Sequence, residues 1–358
     1  MDALLPTGIP RERKATCDDC AMCAPKGAPV PAEVMRGVDT DAEYFAPSVK
    51  CCTYAPSLPN FLVGAVLADE KAVARGRLAE RIAARDAVTL LGVGRPTAYG
   101  ALYDAADDAF GRAEGLLCPY YVAETGLCGI WRHRESVCTT WFCKHERGKV
   151  GFSFWREAMQ RLLGAVEEAL AKWCVLQLGP GEAALDRLIA SPEWHGSSPP
   201  LNASAIDRTA RARGHDAAWG RWSDREAEFY VRCAELVAGL DWAQVLALTG
   251  AEGAALADAT RRAHRRLTTQ ATPVRPRTAP FQISKVGSET ARLVTYSGFD
   301  PLDLPTVALA LLPAFDGRPV AEVIAEVEVK TGVQIETGFL SRLLDFGVLT
   351  EAKANGAV

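Results

Sequence analysis

The chain has 358 residues, 49% hydrophobic and 23% charged, which suits a globular protein of two or three domains with material for real cores. A formal charge of −4 excludes a global attraction to nucleic acid or anionic membrane, so either partner would need a local patch. No run approaches the roughly 18 to 20 apolar residues of a spanning helix, and the opening Met1-Asp-Ala-Leu-Leu-Pro lacks a basic leader. The expectation is a cytoplasmic protein with no membrane partner. In that reducing compartment eleven cysteines are expected to hold metal or do redox chemistry, not to form a disulfide framework.

Nine cysteines lie within the first 143 residues, and they define a cysteine module over residues 1–150. Inside it, residues 61–87 carry apolar side chains at three and four spacing among charged ones, which reads as one amphipathic helix. Residues 151–267 read as a helical region. It opens with a helix over 152–178 that Gly179-Pro180-Gly181 ends. A loop follows over 191–204, then a helix to Gly239 opened by a Ser223/Glu226 capping box, then a helix over 241–267. Residues 268–280 hold three prolines and no acid and read as a linker. In the last segment, 281–358, residues 281–286 and 291–296 alternate around Gly287-Ser288-Glu289 as a hairpin. Helical patterns follow over 305–312, 320–331 and 337–346. The fold class is α+β, mainly α.

Cys17-Asp-Asp-Cys20-Ala-Met-Cys23 lets one loop wrap a metal so that successive sulfurs converge. Cys51 and Cys52 are adjacent, so in an extended chain they point apart and serve different metals or bridge two. Cys118, Cys128, Cys138 and Cys143 form a third group, with His145 as a reserve ligand or a surface histidine. Arg132, His133, Arg134, Lys144 and Arg147 are candidate cations for balancing thiolate charge, or solvated surface charges. Cys174 and Cys233, each alone on a helical segment, read as small buried hydrophobes.

The run Cys17 to Cys23, the Cys51-Cys52 pair, Gly126-Leu-Cys128-Gly-Ile-Trp131-Arg132 after Cys118, and Glu135-Ser-Val-Cys138-Thr-Thr-Trp-Phe-Cys143 resemble the YkgJ-like cysteine-cluster proteins over about residues 15–147. The sequence departs from that pattern in carrying Arg134-Glu135 where arginine-proline is usual, and in placing the cysteine pair far from the first run. The resemblance implies zinc or iron chelation, with Cys17, Cys20, Cys23, Cys51, Cys52, Cys118, Cys128, Cys138 and Cys143 as ligands. Nine is one more than two four-sulfur sites require. A three-cysteine run without a close fourth favours an iron–sulfur cluster over Zn2+. Residues 280–351 resemble the PqqD-like winged-helix domains, on the hairpin, Phe315-Asp316-Gly317, Val320 to Ile324 and Leu343 to Leu349. That resemblance implies a peptide or protein partner added at a strand edge.

Arg261, Arg262, Arg265, Arg266, Arg275 and Arg277, with His264, form a basic stretch that reads as a solvated face more than a nucleic-acid surface. No Gly-rich phosphate loop, nucleophile elbow or HExxH motif marks a catalytic site. The expected function is therefore a metal-binding cysteine-cluster protein with a partner-binding C-terminal domain. Two alternatives stand beside it: a redox or peptide-modification enzyme or accessory using the cluster, and a metal- or redox-responsive DNA-binding regulator.

Overall fold

In the computed structural model, which describes residues 4–12, 17, 20–23, 44–95, 97–105, 110–189 and 215–352, helix accounts for about 53% and strand for 11%. The class is thus α+β and mainly α. The chain divides into two compact units that are discontinuous in sequence. One comprises Cys17–Trp141 and Gln160–Leu256, here the cysteine unit; the other comprises Met1–Thr16, Phe142–Met159 and Ala257–Val358, here the C-terminal unit.

In the cysteine unit the single helix expected over 61–87 is two, Asn60–Ala68 and Arg75–Ala83. The break falls at Asp69, whose carboxylate accepts a hydrogen bond from the Lys71 amide at 2.9 Å and so competes with helix propagation. Asn60 is fully buried at the first turn. Its side-chain amide donates to the Leu90 carbonyl at 3.0 Å and the Ala171 carbonyl at 2.9 Å, linking three segments. Leu58–Pro59, Gly92–Val93 and Val88–Thr89 form a small antiparallel sheet with Gly92–Val93 in the centre.

Helix Glu226–Ala238 crosses Asn60–Ala68 at Gly64, where an added Cβ would lie 1.8 Å from the Tyr230 carbonyl oxygen. Only a residue without a side chain permits that approach. Tyr230, buried among Trp219 and Phe229, donates its hydroxyl to the Thr89 carbonyl at 2.7 Å. The expected capping box is absent: Ser223 donates to Asp216, while Glu226 is engaged by His215 at 2.6 Å. Helix Gln160–Leu178 ends as expected, with Gly179 in the left-handed region (φ 49). The loop expected over 191–204 lies outside the described residues.

In the C-terminal unit, Gln282–Val286 and Thr290–Val294 form the expected hairpin, and Leu302–Pro305 adds a third antiparallel strand beside Thr290–Val294. Three helices follow, Thr306–Leu311, Val320–Thr331 and Thr337–Asp345, with Gly332 (φ 70) closing the second. They bury Leu293, Leu302, Phe315, Val323, Leu343 and Phe346 in one core. The segment read as a linker is partly structured, since Pro276–Thr278 pairs antiparallel with Leu349–Glu351. Among the described residues, no helix is long and apolar enough to cross a membrane.

Candidate metal centre

Eight of the nine candidate cysteines belong to the cysteine unit, and they arrive there on short turns and strands. Cys20 to Cys23 make a tight turn closed by the Cys23 amide on the Cys20 carbonyl at 3.0 Å. Cys51 and Cys52 lie on the 3-10 turn Lys50–Thr53, not in extended chain, so their thiols meet and hydrogen-bond instead of pointing apart. The Cys118 amide donates to the Cys52 carbonyl at 2.6 Å. Cys128 sits on the hairpin Tyr121–Val122/Leu127–Cys128, opposite Tyr121, and the Tyr121 amide returns to the Cys118 carbonyl at 3.0 Å. Gly126, at φ 67, makes the turn of that hairpin.

Cys138 lies in helix Ser136–Thr140, and here the Glu135 that stands in place of the usual proline has a local role. Its buried carboxylate accepts from the Val137 amide at 2.6 Å and the Cys138 amide at 2.8 Å, capping the helix.

Two cations hold the cluster together. Lys50 has a left-handed backbone (φ 52) and donates to the Cys17 carbonyl at 2.5 Å and the Gly126 carbonyl at 2.9 Å. Arg134 stacks on Trp131, 3.5 Å from the ring centre, and donates to the Cys138 carbonyl at 3.1 Å. Of the five cations read as candidates, Arg134 is the one beside the thiols, where it favours the thiolates of Cys17, Cys51 and Cys128. His133 pairs with Asp69 at 2.9 Å, Arg132 is exposed, and Lys144 and Arg147 belong to the C-terminal unit. Lys50 escaped the sequence reading, and the one signal for it was its position next to Cys51.

The thiols shift one another strongly. Burial, then the charge of Cys51, pushes Cys17 up to about 11, and burial pushes Cys118 up to about 12. The Cys23 thiol donates to Cys20, which holds Cys20 down at about 6 and raises Cys23 itself. In the same way Cys52 donates to Cys51, lowering Cys51 and raising Cys52. Burial, then the Glu135 carboxylate, raises Cys138, and burial raises Cys128.

Among the described residues, no group of three or more Cys, His, Asp or Glu side chains is already arranged to hold a metal ion. The thiols are gathered without converging on a common point, so ligation would need side-chain rotation. The donor set itself, sulfur with two flanking cations, fits zinc or an iron–sulfur cluster better than a hard, oxygen-seeking cation.

No family model, curated protein or solved structure matches the chain. The site therefore has to be read from its own residues.

Two candidate ligands remain, Cys143 and His145. Cys143 is in the C-terminal unit, where His145 is buried, not on the surface. The His145 amide donates to Asp300 at 2.9 Å, its ring Nδ1 lies 3.9 Å from the same carboxylate, and Phe142, Phe152 and Tyr296 pack around it. Tyr296 donates its hydroxyl to Asp300, and Glu12 accepts from the Glu146 amide and the Trp155 indole. No motif announced this network. Cys174 and Cys233 are fully buried as expected, but they form a pair, with Cys174 donating to the Cys233 carbonyl at 3.7 Å. In the basic stretch His264 turns inward onto the Gly8 carbonyl, Arg261 bonds Asp258 and the Leu4 carbonyl, and Arg262, Arg265 and Arg266 are exposed.

Proposed function

We propose that this protein is a cysteine-cluster metalloprotein, with thiolates of its cysteine unit holding an iron–sulfur cluster, or Zn2+ as the second choice, and its C-terminal domain binding a peptide or protein partner. The observation that carries the reading is the gathering of eight thiols from five separate stretches of chain into one unit, around Lys50 and Arg134. Metal ligation by thiolates needs such a gathering, since each thiolate formed raises the cost of the next. A bound cation or cluster reverses that repulsion and adds its ligation energy to folding. The YkgJ-like resemblance of the same cysteines supports the same chemistry.

For the C-terminal domain the supporting feature is the strand Gln282–Val286, an edge strand of its sheet and exposed along its whole length. Unpaired backbone groups on such an edge can receive an extended segment, as the PqqD-like resemblance implies.

The test is elemental analysis and visible spectroscopy on protein purified without oxygen, beside Cys20→Ser and Cys138→Ser. Iron with acid-labile sulfide and broad visible absorption, diminished in the variants, is the expected result. Stoichiometric colourless zinc would make the module structural. Metal-free protein, or metal retained in full by both variants, would overturn the reading.

A further inference from the structure

We propose that Val73, Leu127 and Trp131, with the cations that surround them, form the docking surface for a small acidic electron-carrier protein. The carrier serves the iron–sulfur cluster proposed above, so its role rests on that reading, while the surface itself is defined by exposure, hydrogen bonding and charge.

Two short stretches of the cysteine unit make this surface, 69–77 and 127–134. The Ala74 amide donates to the Gly129 carbonyl at 3.2 Å, and the His133 ring pairs with Asp69 at 2.9 Å. These two ties fall on either side of Val73 and bring its stretch against the other. Gly129 permits the approach, because a Cβ there would lie 2.7 Å from that of Ala74. Ala72 and Ala74 are buried, whereas Val73 between them is 73% exposed; Leu127 and Trp131 are 41% and 46% exposed. Arg134 holds Trp131 in place by stacking 3.5 Å from its ring centre and by donating to its carbonyl at 3.1 Å. A fixed, half-exposed tryptophan among other apolar side chains has the make-up of a binding anchor.

The chain as a whole carries −4, yet this place is positive. Lys71, Arg75, Arg77 and Arg132 are exposed there, and among the described residues none of them is in an ion pair. The carboxylates of the same stretches are Asp69, which His133 holds, and Glu70; Glu124 lies beyond, on the turn of the hairpin that ends at Cys128. An apolar centre inside a rim of cations fits a protein whose own apolar spot is ringed by carboxylates. Opposite charges steer the encounter, and the apolar contacts hold it.

The chemistry of the partner follows from what lies beneath. Cys128 stands between Leu127 and Trp131 in the chain, and Arg134 reaches from Trp131 to the Cys138 carbonyl at 3.1 Å. A protein seated here brings its own redox group over the segment that carries these thiols, as short-range electron transfer requires. Three apolar side chains also suit a brief encounter, since electron-transfer interfaces are small, under about 1,200 Å². One electron leaves the carrier and enters the cluster; the carrier is oxidised by one and the cluster reduced by one, and no bond is made or broken.

The experiment measures binding to the full chain, purified without oxygen, by biolayer interferometry at about 20 mM and about 300 mM salt. The probes are an acidic [2Fe–2S] ferredoxin, an acidic flavodoxin, the basic carrier cytochrome c and an oligothymidylate. Both acidic carriers should bind at low salt and be released at high salt. Val73→Ser with Leu127→Ser, and Lys71→Glu with Arg75→Glu and Arg132→Glu, should each weaken binding at least tenfold with iron content and circular dichroism unchanged. Val329→Ser, an exposed valine of the C-terminal unit, should bind as the wild type does. Absence of binding by both acidic carriers, binding that survives both sets of changes, or tighter binding of cytochrome c or the oligothymidylate would overturn the surface while leaving the metal reading intact. Wild-type protein that carries zinc and no iron would instead overturn the iron–sulfur reading and the electron-carrier role with it.

Discussion

Replacing Glu167 with glutamine should stabilise the protein, and only above mildly acidic pH. Glu167 lies on helix Gln160–Leu178 against Ser136, whose hydrogen bonds favour its charged form. Burial outweighs them and, with the nearby Glu135 carboxylate, pushes the carboxyl from its ordinary 4.5 up to about 7. Between those values the folded protein holds a proton that the unfolded chain has released, so stability falls as pH rises through that window. The whole penalty is present above about pH 7. At about 1.4 kcal/mol for each tenfold change in proton affinity, its ceiling is about 3 kcal/mol, and partial exposure brings the expected gain to about 1 to 3 kcal/mol. Glutamine stays neutral and still accepts from Ser136. Urea denaturation of wild type and Glu167→Gln at pH 5 and pH 8 measures the difference. A gain of the same size at both pH values, or a loss at pH 8, would refute the argument.

Gly64→Ala should cost about 3 kcal/mol or more, read as a lowered Tm, because the new Cβ would lie 1.8 Å from the Tyr230 carbonyl oxygen and two helices must separate. Asn60→Ala should cost about 2 to 4 kcal/mol in urea titrations, since it removes two buried hydrogen bonds, to the Leu90 and Ala171 carbonyls, and leaves a void in their place. In the C-terminal unit, Arg147 grips Asp345 at 2.5 and 3.0 Å and donates to the carbonyls of Arg266, Leu267 and Thr269. Arg147→Ala should cost about 3 kcal/mol by denaturation, and Arg147→Lys should recover only part of it because lysine lacks the planar fork. Chelation of bound metal should speed amide hydrogen exchange at residues 50–53 and 118–138 far more than in helix Glu226–Ala238; equal protection everywhere would count against ligation there.

The sequence reading succeeded where one local signal decides the structure. The Gly287-Ser288-Glu289 turn specified its hairpin, and Gly179, free to adopt a left-handed backbone, ended its helix. It went astray where a distant residue or a side chain competes with periodicity. The break at Asp69 comes from a carboxylate that bonds a backbone amide, a competition that apolar spacing does not register. The Ser223/Glu226 box does not form because Ser223 turns to Asp216, while the Glu226 carboxylate takes both the Asp224 amide and His215, eleven positions earlier. Pro276–Thr278 looks like linker until Leu349–Glu351 returns to pair with it, and His145 looks like a surface residue until Asp300 and Tyr296 enclose it. The cysteines were legible as a group by density alone. Their neighbours were not, because the pair Cys51-Cys52 acquires its direction from the turn it sits on.

That turn explains why the cysteine unit can be so poor in regular structure around its thiols. The strands there are two residues long and the helical turns three to five, so backbone hydrogen bonding alone supplies little order. Order comes instead from single side chains that reach across: Lys50 joins the first cysteine run to the Gly126 turn, Arg134 anchors on Trp131 and Cys138, and Glu135 fixes the start of the Cys138 helix. Behind them, helices Asn60–Ala68, Gln160–Leu178 and Glu226–Ala238 supply the apolar packing, with Gly64 setting their closest approach. The frame and the thiol-bearing turns thus depend on different interactions. A glycine substitution in the frame should lower global stability, whereas loss of Lys50 or Glu135 should loosen the thiols and leave the frame folded. Lys50 carries the larger share, since it bonds both the Cys17 and Gly126 segments while sitting beside Cys51 in the chain.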